Sequence, residues 1–184
     1  DEFINLIKKS NHEKSQKFKD IEKEFVNKLK KIPNEWGWIY LSNLGELSRG
    51  KSKHRPRNDP ILFGGKYPFI QTGVVRNSNG KITSFEQTYN ETGLAQSRLF
   101  PAGTICITIA ANIADTALLT FPSCFPDSVV GYNGFPNLIE NMFIMYYLQS
   151  KKTNLESLAP ATAQKNINLD ILQKILVPIM SHEE

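Results

Sequence analysis

Between Lys14 and Ile32 the apolar residues Phe18, Ile21, Phe25, Leu29 and Ile32 recur at steps of three and four, with Lys and Glu filling the gaps. That period predicts a helix that is apolar along one side. Pro33-Asn34 closes it, because proline has no amide hydrogen to give the helix and turns its predecessor away from helical geometry. Upstream, Phe3, Leu6 and Ile7 stand at i, i+3 and i+4 beside Ile4, consistent with one or two earlier helical turns. Past Trp36-Gly37-Trp38, which reads as a hinge packing against a domain, the pattern shortens to runs of β-branched and aromatic residues broken by glycine and proline. Strands are predicted near Trp38 to Leu41, Tyr67 to Val75, Lys81 to Phe85, Thr104 to Ala110, Ala117 to Phe121 and Ser128 to Tyr132. Gly64-Gly65-Lys66 and Asn77-Ser78-Asn79-Gly80 read as turns. A helical pattern returns from Leu138 to Gln149, followed by a short helix at Asn168 to Leu172 and a strand at Ile175 to Pro178. The fold class expected is α+β, a single mixed α/β domain over residues 33–180 preceded by an amphipathic helix within 1–32.

Composition narrows this only slightly. With 184 residues, 40% hydrophobic and 22% charged, the chain is of ordinary globular make-up and suits one substantial domain with an accessory element. No apolar run approaches the roughly 18 residues that cross a membrane, so a cytoplasmic protein without membrane contact is expected. The start, Asp1-Glu2-Phe3, has neither an initiating Met nor the pattern of a signal peptide, as a fragment would. Cys106, inside Thr104 to Ile109, is expected to be a buried reduced thiol, and Cys124 to lie in a Pro/Phe-rich loop. Neither is spaced for a metal or redox pair, and His12, His54 and His182 are scattered, so no cofactor is expected.

Motifs for catalysis are missing as well. Gly64-Gly65-Lys66 lacks the earlier glycine and the Ser/Thr of a phosphate loop, and neither a G-x-S-x-G elbow nor an H-E-x-x-H pair occurs. Pro126-Asp127 is not followed by the acid-x-Lys element of a metal-dependent nuclease. The expectation is therefore a protein that is not an enzyme.

Charge carries more than its mean. The net charge is a modest +4, yet Arg49, Lys51, Lys53, Arg55 and Arg57, with His54 among them, occupy a stretch containing no acid. If that stretch is extended, the period of two aligns all five cations on one face, suited to a line of phosphates. Arginine can also bond guanine O6 and N7 together, which turns anchoring into reading. Gln71, Asn77, Asn112 and Gln164 offer the paired donor and acceptor that match adenine, and the Thr72 hydroxyl serves either role. A solvated loop and ordinary turn residues are the plain alternatives.

Four short motifs, taken in order, resemble the target-recognition domain of type I restriction-modification specificity subunits. Pro33-Asn34-Glu35-Trp36-Gly37-Trp38 with Leu44-Gly45-Glu46 looks like the opening of that domain, and Gly50 to Phe63 with Tyr67 to Gly73 is similar to its basic loop and strand. Leu99-Phe100-Pro101-Ala102-Gly103-Thr104-Ile105 resembles its turn into a central strand, and Gln164-Lys165-Asn166-Ile167-Asn168 with Ile175 to Ile179 resembles its end. Two departures stand out: Val74 occupies a place where family members often carry an acid, and Ser181-His182-Glu183-Glu184 replaces the usual step into a long helix, as expected of truncation or of a spacer at the N-terminus. The resemblance implies sequence-specific recognition of double-stranded DNA, a role for Lys165 beside Gln164, and partnership with a modification (methyltransferase) subunit and, through it, a restriction and motor subunit. It also makes the helix within 1–32 a spacer, whose stripe of Phe18, Ile21, Phe25 and Leu29 would meet a second copy or another helix of a longer chain. Two other classes stay open: the recognition region of a single-chain restriction enzyme and methyltransferase, and a protein-interaction scaffold.

Overall fold

The computed structural model describes residues 31–33, 36–159 and 166–180. The helix expected from Lys14 to Ile32, with Phe18, Ile21, Phe25 and Leu29, falls outside them apart from Lys31 and Ile32, and Gln164 and Lys165 also fall outside. In chain order the elements are β1 (Trp36–Tyr40), α1 (Leu41–Leu44), β2 (Gly45–Arg49), β3 (Phe63–Phe69), α2 (Thr72–Asn77), β4 (Lys81–Ile82), β5 (Gln87–Tyr89), α3 (Glu91–Ala95), β6 (Leu99–Phe100), β7 (Ile105–Thr108), β8 (Thr116–Leu119), β9 (Ser123–Cys124), β10 (Val129–Gly134), α4 (Asn141–Ser150), α5 (Lys152–Ser157), α6 (Leu169–Gln173) and β11 (Leu176–Met180). They divide into two compact units, one drawn from Asp1–Gly45 and Asp170–Glu184, the other Glu46–Leu169.

In the first unit β1 pairs antiparallel with β11, from Trp36 opposite Met180 to Tyr40 opposite Leu176. The Leu41 amide donates to the Ile175 carbonyl at 2.8 Å, extending the ladder into α1. Ile39, Leu41, Leu44, Leu172, Ile175 and Val177 are buried. Trp36-Gly37-Trp38, expected to be a hinge, is instead a run of paired strand residues, because their backbone groups find partners in β11.

The second unit is built on two sheets, of strand order β2-β10-β7-β8-β4 and β5-β3-β9-β6. β7 is the middle strand of the larger one, and its four residues Ile105-Cys106-Ile107-Thr108 are all buried, which suits a β-branched run covered on both faces. Cys106 packs with Ile70, Val75, Ile82, Phe100, Ala117, Leu119, Phe125 and Val129 in the main core. Fully burying each Ile, Val, Leu or Phe side chain among them stabilises by about 1.5–3 kcal/mol. The Phe100 and Phe125 rings stack at 3.9 Å over Gly131, where a Cβ would come within 2.9 Å of both. A smaller core joins Leu62, Phe69, Tyr89 and Cys124. Both thiols are free, and burial pushes both upward, so each acts as a small hydrophobe.

Several elements differ from the sequence pattern. The strand expected from Tyr67 to Val75 is β3, shifted back to Phe63–Phe69, followed by the helix α2. Val74 and Val75 favour strands by propensity, but both amides turn back to the Gln71 carbonyl, and Val75 enters the main core. Gly64-Gly65-Lys66 reverses nothing: the three sit inside β3 as an irregularity in which Phe63 and Tyr67 both pair with Tyr89. Gly65 has to be glycine there, since a Cβ would lie 2.3 Å from Asn90 Cα. The strand expected over Lys81 to Phe85 keeps only β4, and Cys124 lies in strand β9 between β3 and β6 instead of in a loop.

Candidate nucleic-acid interface

The basic stretch leaves β2 at Gly50, which is packed so closely on the chain opposite that a Cβ would stand 2.2 Å from the Pro126 carbonyl oxygen. Its amide donates to the Val129 carbonyl at 2.8 Å, and the Lys51 amide donates to Phe125 at 3.0 Å. From the other side the Ser97 hydroxyl donates to the Lys51 carbonyl at 2.8 Å, while Gln96 Oε1 accepts from the amides of Lys53 and His54 at 2.6 and 3.0 Å. His54 Nε2 meets Asp59 Oδ2 at 2.8 Å, and Asp59 Oδ1 accepts from the Ile61 amide at 3.1 Å. Those two bonds, the histidine's first, hold the Asp59 carboxyl below its usual value. The loop is thus shaped by backbone bonds to segments far away in sequence.

This shape corrects the expected extended run with five cations on one face. Residues 54–58 form bends and turns, because the loop's own carbonyls and a distant acid recruit the arginines. Arg55 Nη1 donates to the carbonyls of Ser52 and His54, both at 2.8 Å. Arg49 Nε donates to the Asp127 carbonyl at 2.5 Å, and Arg57 Nη2 pairs with the Asp127 carboxylate at 2.8 Å. Asp127 stands 70 positions from Arg57, so an acid-free stretch of sequence is not acid-free in space. Lys51 and Lys53 form no side-chain bond among the described residues, and Lys53 is exposed.

The polar candidates gather around α2. Gln71 precedes its first residue and donates through Nε2 to Gln87 Oε1 at 2.7 Å. Thr72 is half-buried in the first turn, and Asn77 is exposed at the last. Gln71, Asn77 and Gln87 line an open cleft of about 620 Å³ together with Asn79, Thr83, Ser84 and Phe85. Phe85 is 47% exposed and packs edge-on against Phe121 at 5.3 Å. Asn112, in the β7–β8 connection, is half-buried and accepts from Arg76 Nη1 at 2.9 Å. The two groups share one support: the Ile70 amide, next to Gln71, donates to the Cys124 carbonyl at 2.8 Å, and Lys51 and Arg49 hang on Phe125 and Asp127 just beyond.

Gln87, Gln96, Arg76 and the pairing role of Asp127 were not singled out from the sequence. Only Arg76 carried a usable signal, as a cation beside the Asn77 turn; the others depend on contacts between distant segments. Among the described residues there is no cluster of three His, Cys, Asp or Glu side chains able to hold a metal ion, and no helix long and apolar enough to cross a membrane. The arrangement supplies fixed backbone, two unpaired ammonium groups and a set of exposed carboxamides, a chemistry of polar recognition.

Residues 33–184 match a family described as the type I restriction modification DNA specificity domain. Over 167 residues the chain is 26% identical to the type I restriction enzyme MjaIX specificity subunit of Methanocaldococcus jannaschii, covering 84% of this chain and 36% of that protein. It is 23% identical over 158 residues to the putative MjaX specificity subunit of the same organism, again spanning 36% of the relative. Among solved structures, the HsdS subunit from Thermoanaerobacter tengcongensis superposes with a TM-score of 0.64 at 16% identity, covering 88% of this chain and 39% of that one. The type I restriction-modification S subunit from M. genitalium gives 0.59 at 19% identity, covering 84% and 37%. The chain spans just over a third of the length of the curated relatives it matches.

Proposed function

Because the chain belongs to the family of type I restriction modification DNA specificity domains, we propose that it reads a sequence in double-stranded DNA and directs a modification (methyltransferase) subunit, and through it a restriction and motor subunit, to that site. In this reading residues 33–180 are the reader and the helix within 1–32 is a spacer, with Phe18, Ile21, Phe25 and Leu29 meeting a second copy or another helix of a longer chain. The chain contributes recognition and no catalytic group, and it works in the cytoplasm, where the DNA is. Lys51 and Lys53 anchor phosphates, and Gln71, Thr72 and Asn77 approach base edges, with Gln164 and Lys165 as further contacts from the sequence pattern.

The observation that carries this reading is the anchored basic loop. Its backbone is fixed by bonds to Val129, Phe125 and Gln96 before any partner arrives, so little conformational freedom is left to lose on binding. Among the described residues its two lysines stand without an acid, and each phosphate that a lysine neutralises releases condensed counterions. The test is affinity for duplex DNA as a function of salt for the wild type and for Lys51→Ala with Lys53→Ala. The wild type should weaken steeply with salt, and the double variant should flatten the slope of log affinity against log salt by about 0.9 per lysine. Wild-type affinity that does not change with salt would overturn the proposal.

A further inference from the structure

Arg76 is exposed in the last turn of α2 and donates through Nη1 to Asn112 Oδ1 at 2.9 Å. Its setting differs from that of the cations held in ion pairs. Arg57, Lys66 and Lys152 face Asp127, Glu91 and Asp115, whereas no carboxylate pairs with Arg76 among the described residues. A neutral carboxamide orients a guanidinium without cancelling its charge. Arg49 and Arg55 are also free of carboxylates among the described residues, with Arg49 Nε and Arg55 Nη1 turned onto carbonyls of the protein itself.

The acceptor that orients Arg76 is itself held. Asn112 follows Ala111, whose φ of 64° closes a three-residue turn in which the Asn112 amide donates to the Ala110 carbonyl at 2.8 Å. Its carbonyl takes the Thr108 hydroxyl, the same hydroxyl accepts from the Asp115 amide at 3.0 Å, and the Ala114 amide donates to the Thr108 carbonyl at 2.8 Å. Ala114 also has a left-handed φ, 61°. Two alanines in a conformation that side chains rarely adopt, in one short connection, mark a loop whose shape is imposed by its surroundings. With Nη1 engaged, the remaining edge of the guanidinium presents Nε–H and Nη2–H in parallel, the spacing that matches O6 and N7 of guanine in the major groove.

On the reading that this chain recognises DNA, we propose that Arg76 is a specificity-determining residue that reads a guanine, and that Asn112 is its positioning residue. This changes the role expected of Asn112 from direct reader to support. It adds Arg76 to Arg55 and Arg57, each of which also has a single guanidinium nitrogen bonded to the protein among the described residues, as an arginine with N–H groups left for a base.

The test is selection from a pool of random duplexes by the full chain, with sequencing of the bound fraction, for wild type, Arg76→Ala, Arg76→Lys, Asn112→Ala and the Arg76→Ala, Asn112→Ala double variant. The wild type should enrich a motif containing a G·C position. Arg76→Ala should lose the preference at that position alone, by roughly 5- to 150-fold, the range of one bidentate base contact, and Arg76→Lys, whose ammonium still donates to guanine without the fork geometry, should lose part of it. Arg76→Lys keeps the charge, so its salt slope should match the wild type. Asn112→Ala should weaken the same position, and the double variant should be no worse than Arg76→Ala, since the two act as one unit. Thermal melting reports whether each variant is folded; if Arg76→Ala is not, Arg76→Lys carries the test. Undiminished guanine preference in a folded Arg76→Ala or in Arg76→Lys, or equal erosion of every position, would overturn the assignment. Salt-dependent binding by the wild type with no enriched motif would overturn it too, while leaving the phosphate contacts of the loop standing; no salt-dependent binding at all would sink the DNA reading itself.

Discussion

Replacing Asp127 by Asn removes the acid that pairs with Arg57 of the basic loop. Its carboxylate pairs with Arg57 Nη2 at 2.8 Å, with the two side chains 49% and 38% exposed. An ion pair that open to water stabilises a fold by about 0.2–1 kcal/mol, so the variant should stay folded, with a small loss at most. On DNA the sign reverses. In the wild type a phosphate approaching Arg57 competes with Asp127, whereas in Asp127→Asn the guanidinium is free to neutralise it. One added phosphate contact steepens the slope of log affinity against log salt by about 0.9, so between 50 and 200 mM salt the variant should lose roughly 3.5-fold more affinity than the wild type does. It should bind more tightly than the wild type at the lower concentration. Fluorescence anisotropy of a labelled duplex at a series of salt concentrations measures both. A folded variant that binds more weakly than the wild type with an unchanged slope would refute the reasoning, because Asp127 would then be orienting Arg57 for contact and not competing with DNA for it.

Gly50→Ala should destabilise the protein by about 1–3 kcal/mol in urea unfolding, since its Cβ would stand 2.2 Å from the backbone oxygen of Pro126 and 2.5 Å from that of Phe125. Asp59 is held below its usual value of 3.8, first by the bond to His54 and then by the Ile61 amide. A carboxyl depressed in the folded state contributes its full stabilisation above the unfolded value and loses it as pH falls through the folded one. Amide exchange at Ile61, corrected for its intrinsic pH dependence, should therefore rise only below about pH 4, and a rise starting near pH 6 would place the change on another group. For the N-terminal helix, light scattering of the wild type should show self-association or complex formation with the modification subunit, and Phe18→Glu with Phe25→Glu should abolish it. A wild type that stays monomeric and ignores that subunit would end the spacer reading.

How much of this was legible in the sequence depended on whether the deciding contacts were local. β7 could be read because Thr104 to Ile109 is rich in β-branched residues and sits in the middle of its sheet, where burial and propensity agree. The short helix α6 and the strand β11 lie within a residue or two of their expected positions for the same reason. α2 was missed because Val74 and Val75 favour strand by themselves, whereas Val75 sits in a core with Cys106, Ala117 and Phe125, from distant parts of the chain. In the candidate site the composition of the loop was visible but its geometry was not. Nothing near Arg57 in sequence announces Asp127, and nothing near Lys53 announces Gln96. Candidate base readers were picked by side-chain chemistry alone, which singled out Gln71, Asn77 and Asn112 but not the Arg76 that donates to Asn112.

The central claim, that this chain chooses the DNA sequence on which a restriction-modification system acts, is tested most directly by methylome sequencing of cells with and without its coding sequence. Deletion should erase methylation at one defined motif while leaving other methylated motifs unchanged, and restoring the wild-type gene should bring that motif back. Methylation that is identical at every motif in the presence and absence of the gene would contradict the account.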